Sequence, residues 1–238
     1  MNIIILRDND VWLSADLVEI CGRRAQHVYY HLKSSVGDCL RVGLLGGSQG
    51  TGIIEFMDNS TLILKVNLTE LPPSRHPFDI ILALPRPKML RRIFRTCAEF
   101  GVNNLHLINS ARVEKSYWQS PLLTGQKIDE ALLSGLERSR DTIAPQVHLH
   151  KRFRPFVEDS LSFLCAGRPC WIADIGAVAA LSEHASSPSM VMIGPEGGFV
   201  PFEIHLAQSV IARPAHLGQR ILSVDTALTS VLALGIAC

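Results

Sequence analysis

The chain has 238 residues, of which 47% are hydrophobic and 19% are charged, and this balance excludes a disordered protein. Its 23 basic and 22 acidic side chains give a formal net charge of +1, which excludes a general polycation but allows a local basic face. The length predicts either one large domain or two unequal domains.

The first seventy residues predict a small domain of short β-strands. Strand-like segments cover residues 38–42, 51–56 and 61–66, with a turn at 57–60, and a short helix is expected over 26–34. Several short strands joined by Gly and Asn turns are typical of a small β-barrel.

The glycine-rich run at residues 46–52 allows two interpretations. It could be a phosphate-binding loop, but no strong helical pattern follows it. We therefore interpret this run as the turn and flanks of a β-hairpin.

Three prolines within residues 71–77 predict a linker between two domains. Beyond the linker, residues 78–84 form a continuous apolar run, which is typical of a strand buried on both faces. A helix over residues 88–100 follows and is expected to end at Gly101.

The rest of the chain alternates between strands and helices. Strands are expected over 105–108, 147–150, 171–173 and 190–193, and helices over 126–140, from Pro201 onward, and over 226–236. This alternation predicts an α/β domain with a mostly parallel sheet. The predicted organisation is thus a first domain at 1–70, a linker at 71–77 and a second domain at 78–238.

The apolar segments and the cysteines favour a cytoplasmic protein. The first ten residues carry too short an apolar run for a signal peptide, and no later stretch approaches the roughly 18 apolar residues of a membrane span. The cysteines are scattered, without C-x-x-C or Cys/His clusters, so we expect reduced thiols, no membrane association and no bound metal. They are Cys21, Cys39, Cys97, Cys165, Cys170 and Cys238.

Two glycine-containing motifs hold most of the functional information in the second domain. The first, G-P-E-G-G-F at 194–199, follows a predicted buried strand and precedes a helix with Pro201 in its first turn. Glycines there permit positive φ and let a ligand approach the backbone, although a tight β–α turn without a ligand is the alternative. The second, L-G-Q-R-I-L-S-V-D-T-A at 217–227, precedes the last helix. Neither a G-x-x-x-x-G-K-[ST] loop nor a G-x-G-x-x-G turn is present, which disfavours NTP hydrolysis and a standard dinucleotide fold.

Together these motifs resemble those of the RsmE family of ribosomal RNA methyltransferases, in the SPOUT (α/β-knot) superfamily. Gly37-Asp38 matches the family's barrel motif, and residues 86–88 and 99–102 match motifs around the first helix of its second domain. The resemblance implies a small N-terminal PUA-like β-barrel followed by an α/β domain with a C-terminal trefoil knot. It also implies a homodimer that uses S-adenosylmethionine to methylate N3 of a uridine in 16S rRNA, free or in the small ribosomal subunit.

The resemblance also implies which residues contact the cofactor, with backbone groups reading the adenine. They are Ala173, Gly194, Pro195, Glu196, Gly197, Gly198, Leu217, Gly218, Ile221, Leu222 and Thr226.

Uridine N3 is a weakly acidic imide, so methyl transfer to it requires correct positioning, loss of a proton and stabilisation of the resulting anion. We expect Arg220 to be the stabilising cation, with Glu196 or Asp225 as base or orienting group. The structural alternatives are a salt bridge for Arg220, a hydrogen bond within the turn for Glu196, and an N-cap of the last helix for Asp225.

Two positions depart from the family pattern: Ser223 stands where the family usually has Arg, and Asp225 where it has Glu. Ser223 leaves the site one cation poorer. The alternatives are therefore a knot methyltransferase acting on a different RNA site, such as a ribose 2′-OH, or a non-catalytic RNA-binding factor in ribosome assembly.

Basic residues form two candidate RNA contacts. The first lies on the helix after the linker, where four basic residues recur at i, i+3, i+4 and i+7 opposite an apolar stripe. These four are Lys88, Arg91, Arg92 and Arg95, and Arg86 precedes them. Arg23 and Arg24, close to His27 and His31, form a second cluster suited to phosphates. A merely solvated charged face is the alternative.

The last predicted helix is apolar nearly all round, which favours burial in a second interface such as that of a homodimer. Its apolar residues are Ala227, Leu228, Val231, Leu232, Leu234 and Ile236.

Overall fold

The computed structural model describes residues 2–184 and 187–236, and its contacts divide the chain into two compact units. The first unit combines Met1–Ser74 with Leu133–Ala144, and the second combines Arg75–Leu132 with Pro145–Cys238. The boundary after Ser74 falls inside the predicted linker.

The segment Leu133–Ala144 belongs to the first unit, whereas the sequence placed it in the second domain. It belongs to the first unit because its backbone carbonyls accept hydrogen bonds from that unit. Asn2 N–H donates to the Glu137 carbonyl at 2.7 Å, and Gly46 N–H donates to the Thr142 carbonyl at 2.8 Å. The local sequence pattern does not predict these long-range hydrogen bonds.

The first unit is built on one six-stranded sheet with the order β1-β4-β5-β6-β3-β2. Only the β1–β4 pair is parallel. Alternate residues of β6, Leu62, Leu64 and Val66, are buried, so one face of the sheet carries the core. This unit fits the predicted small β domain. Its strands are β1 (Ile4–Leu6), β2 (Val11–Trp12), β3 (Leu17–Cys21), β4 (Cys39–Leu44), β5 (Gln49–Met57) and β6 (Thr61–Glu70).

The glycine-rich run forms the predicted hairpin. Leu44 N–H donates to the Ser48 carbonyl at 2.9 Å, and β4 and β5 pair on either side of the turn. At the β-bulge beside Gln49, a side chain on Gly50 would collide with the backbone carbonyl of Asn67. This close approach of two strands explains a glycine inside β5.

The helix expected over 26–34 begins earlier than predicted. Helix α1 (Arg23–His27) runs directly into a π-helical segment, Val28–Leu32. Lys33, in the left-handed conformation with φ 53°, ends it.

The second unit is a six-stranded, all-parallel sheet with the order β12-β10-β11-β7-β8-β9 and helices between its strands. Every residue of β7 and β11, at its centre, is buried, as the apolar run at 78–84 predicted. The strands are β7 (Phe78–Ala83), β8 (Asn104–Ile108), β9 (Gln146–His150), β10 (Cys170–Ala173), β11 (Ser189–Ile193) and β12 (Arg213–Ala215). The longer helices of this unit are α2 (Pro87–Glu99), α6 (Pro201–Val210) and α7 (Val224–Gly235), and α3 (Gly125–Ser139) begins in this unit and ends in the first.

Helix α2 has the predicted two-sided character. Leu90, Phe94 and Cys97 are buried, while Lys88 and Arg91 are exposed. The helix ends as predicted at Gly101, whose φ is 71°. Gly101 N–H donates to the Ala98 carbonyl at 3.1 Å, and the next amide donates to the Cys97 carbonyl at 3.0 Å, which completes a Schellman motif.

Some elements were not predicted. Residues 153–165 form a continuous helical segment made of α4 (Phe153–Pro155), a π-helical stretch (Phe156–Leu161) and α5 (Ser162–Cys165). Strand β12 is only three residues long and contains Pro214, so its sequence carries almost no strand signal.

Within the described residues, no helix has the length and apolar character needed to cross a membrane. The five cysteines there are free, and Cys238 lies outside the described residues.

Candidate functional site

A cleft of about 430 Å³ opens beside the carboxyl ends of β10 and β11 in the second unit. Because the sheet is parallel, the loops after these strands meet at one edge, which is where open α/β sheets bind ligands. The cleft is lined by Ala173, Asp174, Ile175, Ile193, Gly194, Pro195, Glu196, Gly197, Gly198, Phe199, Ile204, Leu217, Gly218, Arg220, Ile221, Leu222 and Ala227.

The cleft brings the two glycine-containing motifs together. All the residues expected to contact the cofactor line it except Thr226, whose Oγ1 instead lies 2.8 Å from Ser223 Oγ. Asp174 and Ile175, which follow β10, also line the cleft and were not anticipated. Their loop lacks a recognisable motif, so only the folded chain reveals their position.

The turn at 194–199 needs glycine at specific positions. Gly198 has φ 73°, and its N–H donates to the Pro195 carbonyl at 2.8 Å. A side chain on Gly194 would lie 2.9 Å from the backbone nitrogen of Phe199. The turn therefore presents closely folded bare backbone to the cleft, as a backbone-reading site requires.

Two residues outside both motifs connect the loop after β8 to this turn or to Val200 directly after it, and the first is Arg112 in that loop. Its guanidinium Nη1 donates to the Gly197 carbonyl and lies 3.5 Å from the Gly198 carbonyl. The sequence gives no signal for this contact, because Arg112 stands far from the turn along the chain.

The second is Glu203, whose buried side chain lies in the first turn of α6. Its carboxylate accepts hydrogen bonds from Ser110 Oγ at 3.1 Å, Ala111 N–H at 2.7 Å and Val200 N–H at 3.0 Å. Three donors satisfy a carboxylate that would otherwise be costly to bury. Its place in the first turn of a helix that begins at Pro201 is a sequence signal that could have marked it, because acidic residues favour that turn.

Arg220 is exposed at the edge of the cleft. It forms no ion pair with any residue that the structure describes, so the salt bridge considered as its alternative role is not observed there. Its charge is available to a ligand in the cleft.

Glu196 and Asp225 each face an arginine of the α2 region. Arg86 Nε lies 3.5 Å from Glu196 Oε1, and Arg92 Nη1 lies 3.2 Å from Asp225 Oδ2. Two residues expected to contact RNA are therefore ion-paired with two carboxylates expected to act in catalysis.

Asp225 is not the N-cap of the last helix, because α7 begins at Val224 and Ser223 is its N-cap. Asp225 instead lies in the first turn, where a carboxylate is stabilised by the helix dipole. The hydroxyl of Ser223 donates to Asp225 Oδ1 at 2.6 Å, and this bond, with the nearby charge of Arg92, lowers the pKa of Asp225. Asp225 is thus a weak proton acceptor at neutral pH.

The other basic residues expected to contact RNA differ in whether they already form an ion pair within the protein. Arg95 lies 3.4 Å from Glu99 of its own helix, whereas Lys88 and Arg91 form no ion pair among the residues described. In the first unit, Arg23 pairs with Glu137 but remains largely exposed.

Arg24 is held inside its own unit. Its guanidinium donates to Asp10 at 2.8 Å and to the Ile5 carbonyl at 2.6 Å, and its side chain is only 13% exposed. This arrangement favours a structural role for Arg24 over the RNA contact proposed for it. No group of three or more potential metal ligands occurs among residues 2–184 and 187–236.

The fold is an α/β domain whose cleft lies at the carboxyl edge of a parallel sheet, which is where such domains bind ligands. The sequence model of the RNA methyltransferase domain family matches residues 72–235, which include this domain as far as Gly235. The chain therefore belongs to the RNA methyltransferase domain family.

Individual relatives agree with this assignment. The chain is 25% identical over 246 aligned residues to the Ribosomal RNA small subunit methyltransferase E of Treponema pallidum (strain Nichols), an alignment that covers 100% of this chain and 91% of the relative. It is 20% identical to a protein of the same name, numbered 1, from Borreliella burgdorferi, over 95% of this chain and 94% of the relative. The resemblance to the RsmE family drawn from the motifs is confirmed.

Solved structures share the fold. The Ribosomal RNA small subunit methyltransferase E of Neisseria gonorrhoeae, bound to S-adenosylmethionine, superposes with a TM-score of 0.77 at 19% identity, covering 98% of this chain and 95% of the other. A Legionella pneumophila protein described as a methyltransferase with bound cofactor gives 0.74 at 19% identity, over 100% and 98% of the two chains.

Proposed function

We propose that this protein is an S-adenosylmethionine-dependent methyltransferase that acts on N3 of a uridine in 16S rRNA. The observation that carries the proposal is the cleft that joins the turn at 194–199 with residues 217–222 and exposes Arg220 at its edge. The cleft volume of about 430 Å³ lies in the range of small-molecule and cofactor sites. With this substrate, a cytoplasmic location follows.

The residues of the cleft fit the cofactor. Gly194 and Gly198 let the turn approach a ligand with backbone groups alone, and Leu217, Ile221 and Leu222 offer apolar contact to its non-polar parts. When bound, the cofactor supplies an electrophilic methyl group. The protein contributes mainly the position of that group relative to the nucleophile.

Three charged groups are assigned to charge stabilisation, orientation and proton transfer. Arg220 stabilises the negative charge that develops on the uracil ring as N3 loses its proton. Asp225, with its lowered pKa and its pair with Arg92, orients the site rather than accepting the proton. Glu196, on the turn itself, is the carboxylate proposed to receive the N3 proton.

RNA binding is proposed to rest on α2. Lys88 and Arg91 offer exposed charges to phosphates, while Arg86 and Arg92 link the same region to Glu196 and Asp225. Arg23 is the candidate contact in the first unit.

The fold proposal has two parts beyond what the strand order establishes. We propose that the first unit is a PUA-like barrel and that the second contains a C-terminal trefoil knot. Both are implied by the resemblance, and the second would be an exception to the rule that chains do not thread loops.

We also propose a homodimer, as the resemblance to the RsmE family implies. Most apolar residues of α7 are already buried within the protomer, including Leu228, Val231 and Leu232, so these residues serve its own core. Ile221 and Ile236 remain exposed at 85% and 65%. Light scattering that returned a monomer mass at micromolar concentration would refute the dimer.

Nucleoside analysis of rRNA tests the function directly. A strain lacking this gene should lose 3-methyluridine from its 16S rRNA, and the wild-type gene should restore it, whereas the Arg220→Ala gene should not. Loss of a ribose-methylated nucleoside instead would support the alternative target. An unchanged nucleoside profile, together with absent S-adenosylmethionine binding in calorimetry, would refute methyl transfer.

A further inference from the structure

Hydrogen bonds connect the loop after β8 both to the glycine-rich turn and to Val200, which directly follows the turn. On one side, Glu203 accepts hydrogen bonds from Ser110 and Ala111 of the loop and from Val200 after the turn. On the other, Arg112 reaches the carbonyls of Gly197 and Gly198. Because Glu203 fixes the backbone immediately before Arg112, it also fixes the starting point of the arginine side chain.

Gly197 is glycine for a reason that involves Arg112. Its backbone does not have the positive φ found at Gly198, so an L-residue could adopt its conformation. A side-chain carbon at Gly197, however, would lie 2.9 Å from Cδ of Arg112, which is too close for two carbon atoms. The missing side chain at Gly197 makes room for the arginine that binds the turn.

We propose that Arg112 is a positioning residue for the cofactor, which holds the Gly197 and Gly198 carbonyls so that the turn keeps one backbone geometry. This inference rests on the proposed function, because it assigns the cleft to S-adenosylmethionine. Hydrogen bonds from a charged donor are among the stronger ones in proteins, and two carbonyls sharing one guanidinium cannot rotate independently. A site that reads a ligand with backbone groups depends on such fixed peptide planes.

The first test compares Arg112→Ala, Gly197→Ala and the double variant by calorimetry with S-adenosylmethionine. Arg112→Ala should weaken binding about tenfold, because it deletes the donor to both carbonyls. Gly197→Ala should weaken binding in the same direction and by no more than that factor, because the Arg112 side chain must shift away from the new side chain. The double variant should bind no more weakly than Arg112→Ala, since the same interaction cannot be removed twice. Arg112→Lys, which keeps one charged donor, should bind with intermediate affinity.

The matched control pairs Arg112→Ala with Gly218→Ala. Gly218 lines the same cleft from the other motif, has φ 110°, and has open space around it, so the backbone strain of this substitution does not involve Arg112. The effects of Arg112→Ala and Gly218→Ala should therefore add, unlike those of the Gly197 pair. In steady-state assays, Arg112→Ala should raise the KM for S-adenosylmethionine more than it lowers kcat.

The outcomes separate this inference from the proposed function. If the wild-type protein binds no S-adenosylmethionine, the proposed function fails. If the wild type binds it and Arg112→Ala binds equally well, or if the Gly197 pair proves additive, the positioning role fails while the function stands. Should Arg112→Ala not fold, Gly197→Ala, which retains every charged group, supplies the affinity comparison.

Discussion

The guanidinium of Arg92 lies 3.2 Å from the carboxylate of Asp225, so the helix expected to bind RNA contacts the first turn of the helix that follows the cofactor motif. The two residues are far apart in the sequence, and neither motif indicates the pair. Ser223 adds a hydrogen bond to the same carboxylate. In this chain, the position where the family usually has Arg thus contributes a hydroxyl that orients Asp225.

This pair changes which residues should govern RNA affinity. The double change Lys88→Ala, Arg91→Ala should reduce the slope of log affinity against log salt by about 0.7–0.9 for each phosphate that the protein no longer neutralises. Arg92→Ala should reduce it less, because Asp225 already neutralises that charge. Filter-binding titrations at several salt concentrations measure the slopes.

The same titrations should show equal decreases in affinity for cognate and scrambled RNA, because phosphate contacts carry no sequence information. Affinity for S-adenosylmethionine serves as the control and should not change. An unaltered slope in the double variant would exclude α2 as an RNA contact.

Arg220→Ala should separate chemistry from cofactor binding. Because the cation is proposed to act on the charge that develops on the uracil ring, its loss should lower kcat by about 10²–10³-fold. The affinity for S-adenosylmethionine should stay within about twofold of the wild type, since the proposed cofactor contacts are mainly backbone groups. Single-turnover rates and calorimetry give the two quantities, and a much weaker affinity with an unchanged rate would reverse the assignment.

Gly198→Val should abolish binding of S-adenosylmethionine. The φ of 73° at Gly198 is strongly unfavourable for a β-branched residue, so the turn must change its conformation. Calorimetry should show no binding, while circular dichroism should show that the fold is retained. Gly125→Ala is the matched control, because that position has open space around it and no positive φ.

His106 should make the protein sensitive to acid. Burial, with the nearby charges of His148 and His150, lowers its pKa to about 3 from an ordinary value of 6.5. Between these pH values the unfolded chain binds a proton at His106 that the folded chain does not. The contribution of His106 to the free energy of unfolding is therefore present above pH 6.5 and is lost as the pH falls below that value. The contribution of this one residue between pH 7 and pH 5 is about 2 kcal/mol.

Replacing His106 with Phe should therefore reduce the difference in unfolding free energy between pH 7 and pH 5 by that amount. Urea titrations at the two pH values give the comparison. Some acid sensitivity should remain, because burial also lowers the pKa of His76 and His150. An identical pH dependence in the variant and the wild type would contradict the assignment.

Much of the second unit follows from local patterns. The continuous apolar run that became β7, the opposed stripes of α2 and the Gly101 terminus each reflect a local physical requirement. The short strand β12, by contrast, exists only because β10 offers it a partner, and no local signal could indicate that.

The two motifs, through the resemblance to the RsmE family, indicated residues that the structure places together around the cleft. The local pattern alone indicated only a turn that needs glycine, as the backbone does at Gly194 and Gly198. Arg112 was missed, as were the bonds of Glu203 to Ser110 and Ala111, because these contacts join groups that are distant in sequence. Ion pairs such as Arg92 with Asp225 depend in the same way on the packing of separate helices.

The discontinuous first unit has a consequence for the synthesis of the protein. Its sheet ends before Ser74, but the carbonyls of Glu137 and Thr142 that accept from Asn2 and Gly46 are translated only later. At roughly 5–20 residues per second, the ribosome needs about 4–14 s to extend the nascent chain from Ser74 to Ala144. During that interval the amides of Asn2 and Gly46 lack their native carbonyl acceptors. The amino-terminal unit therefore cannot complete its folding before part of the methyltransferase domain has been synthesised.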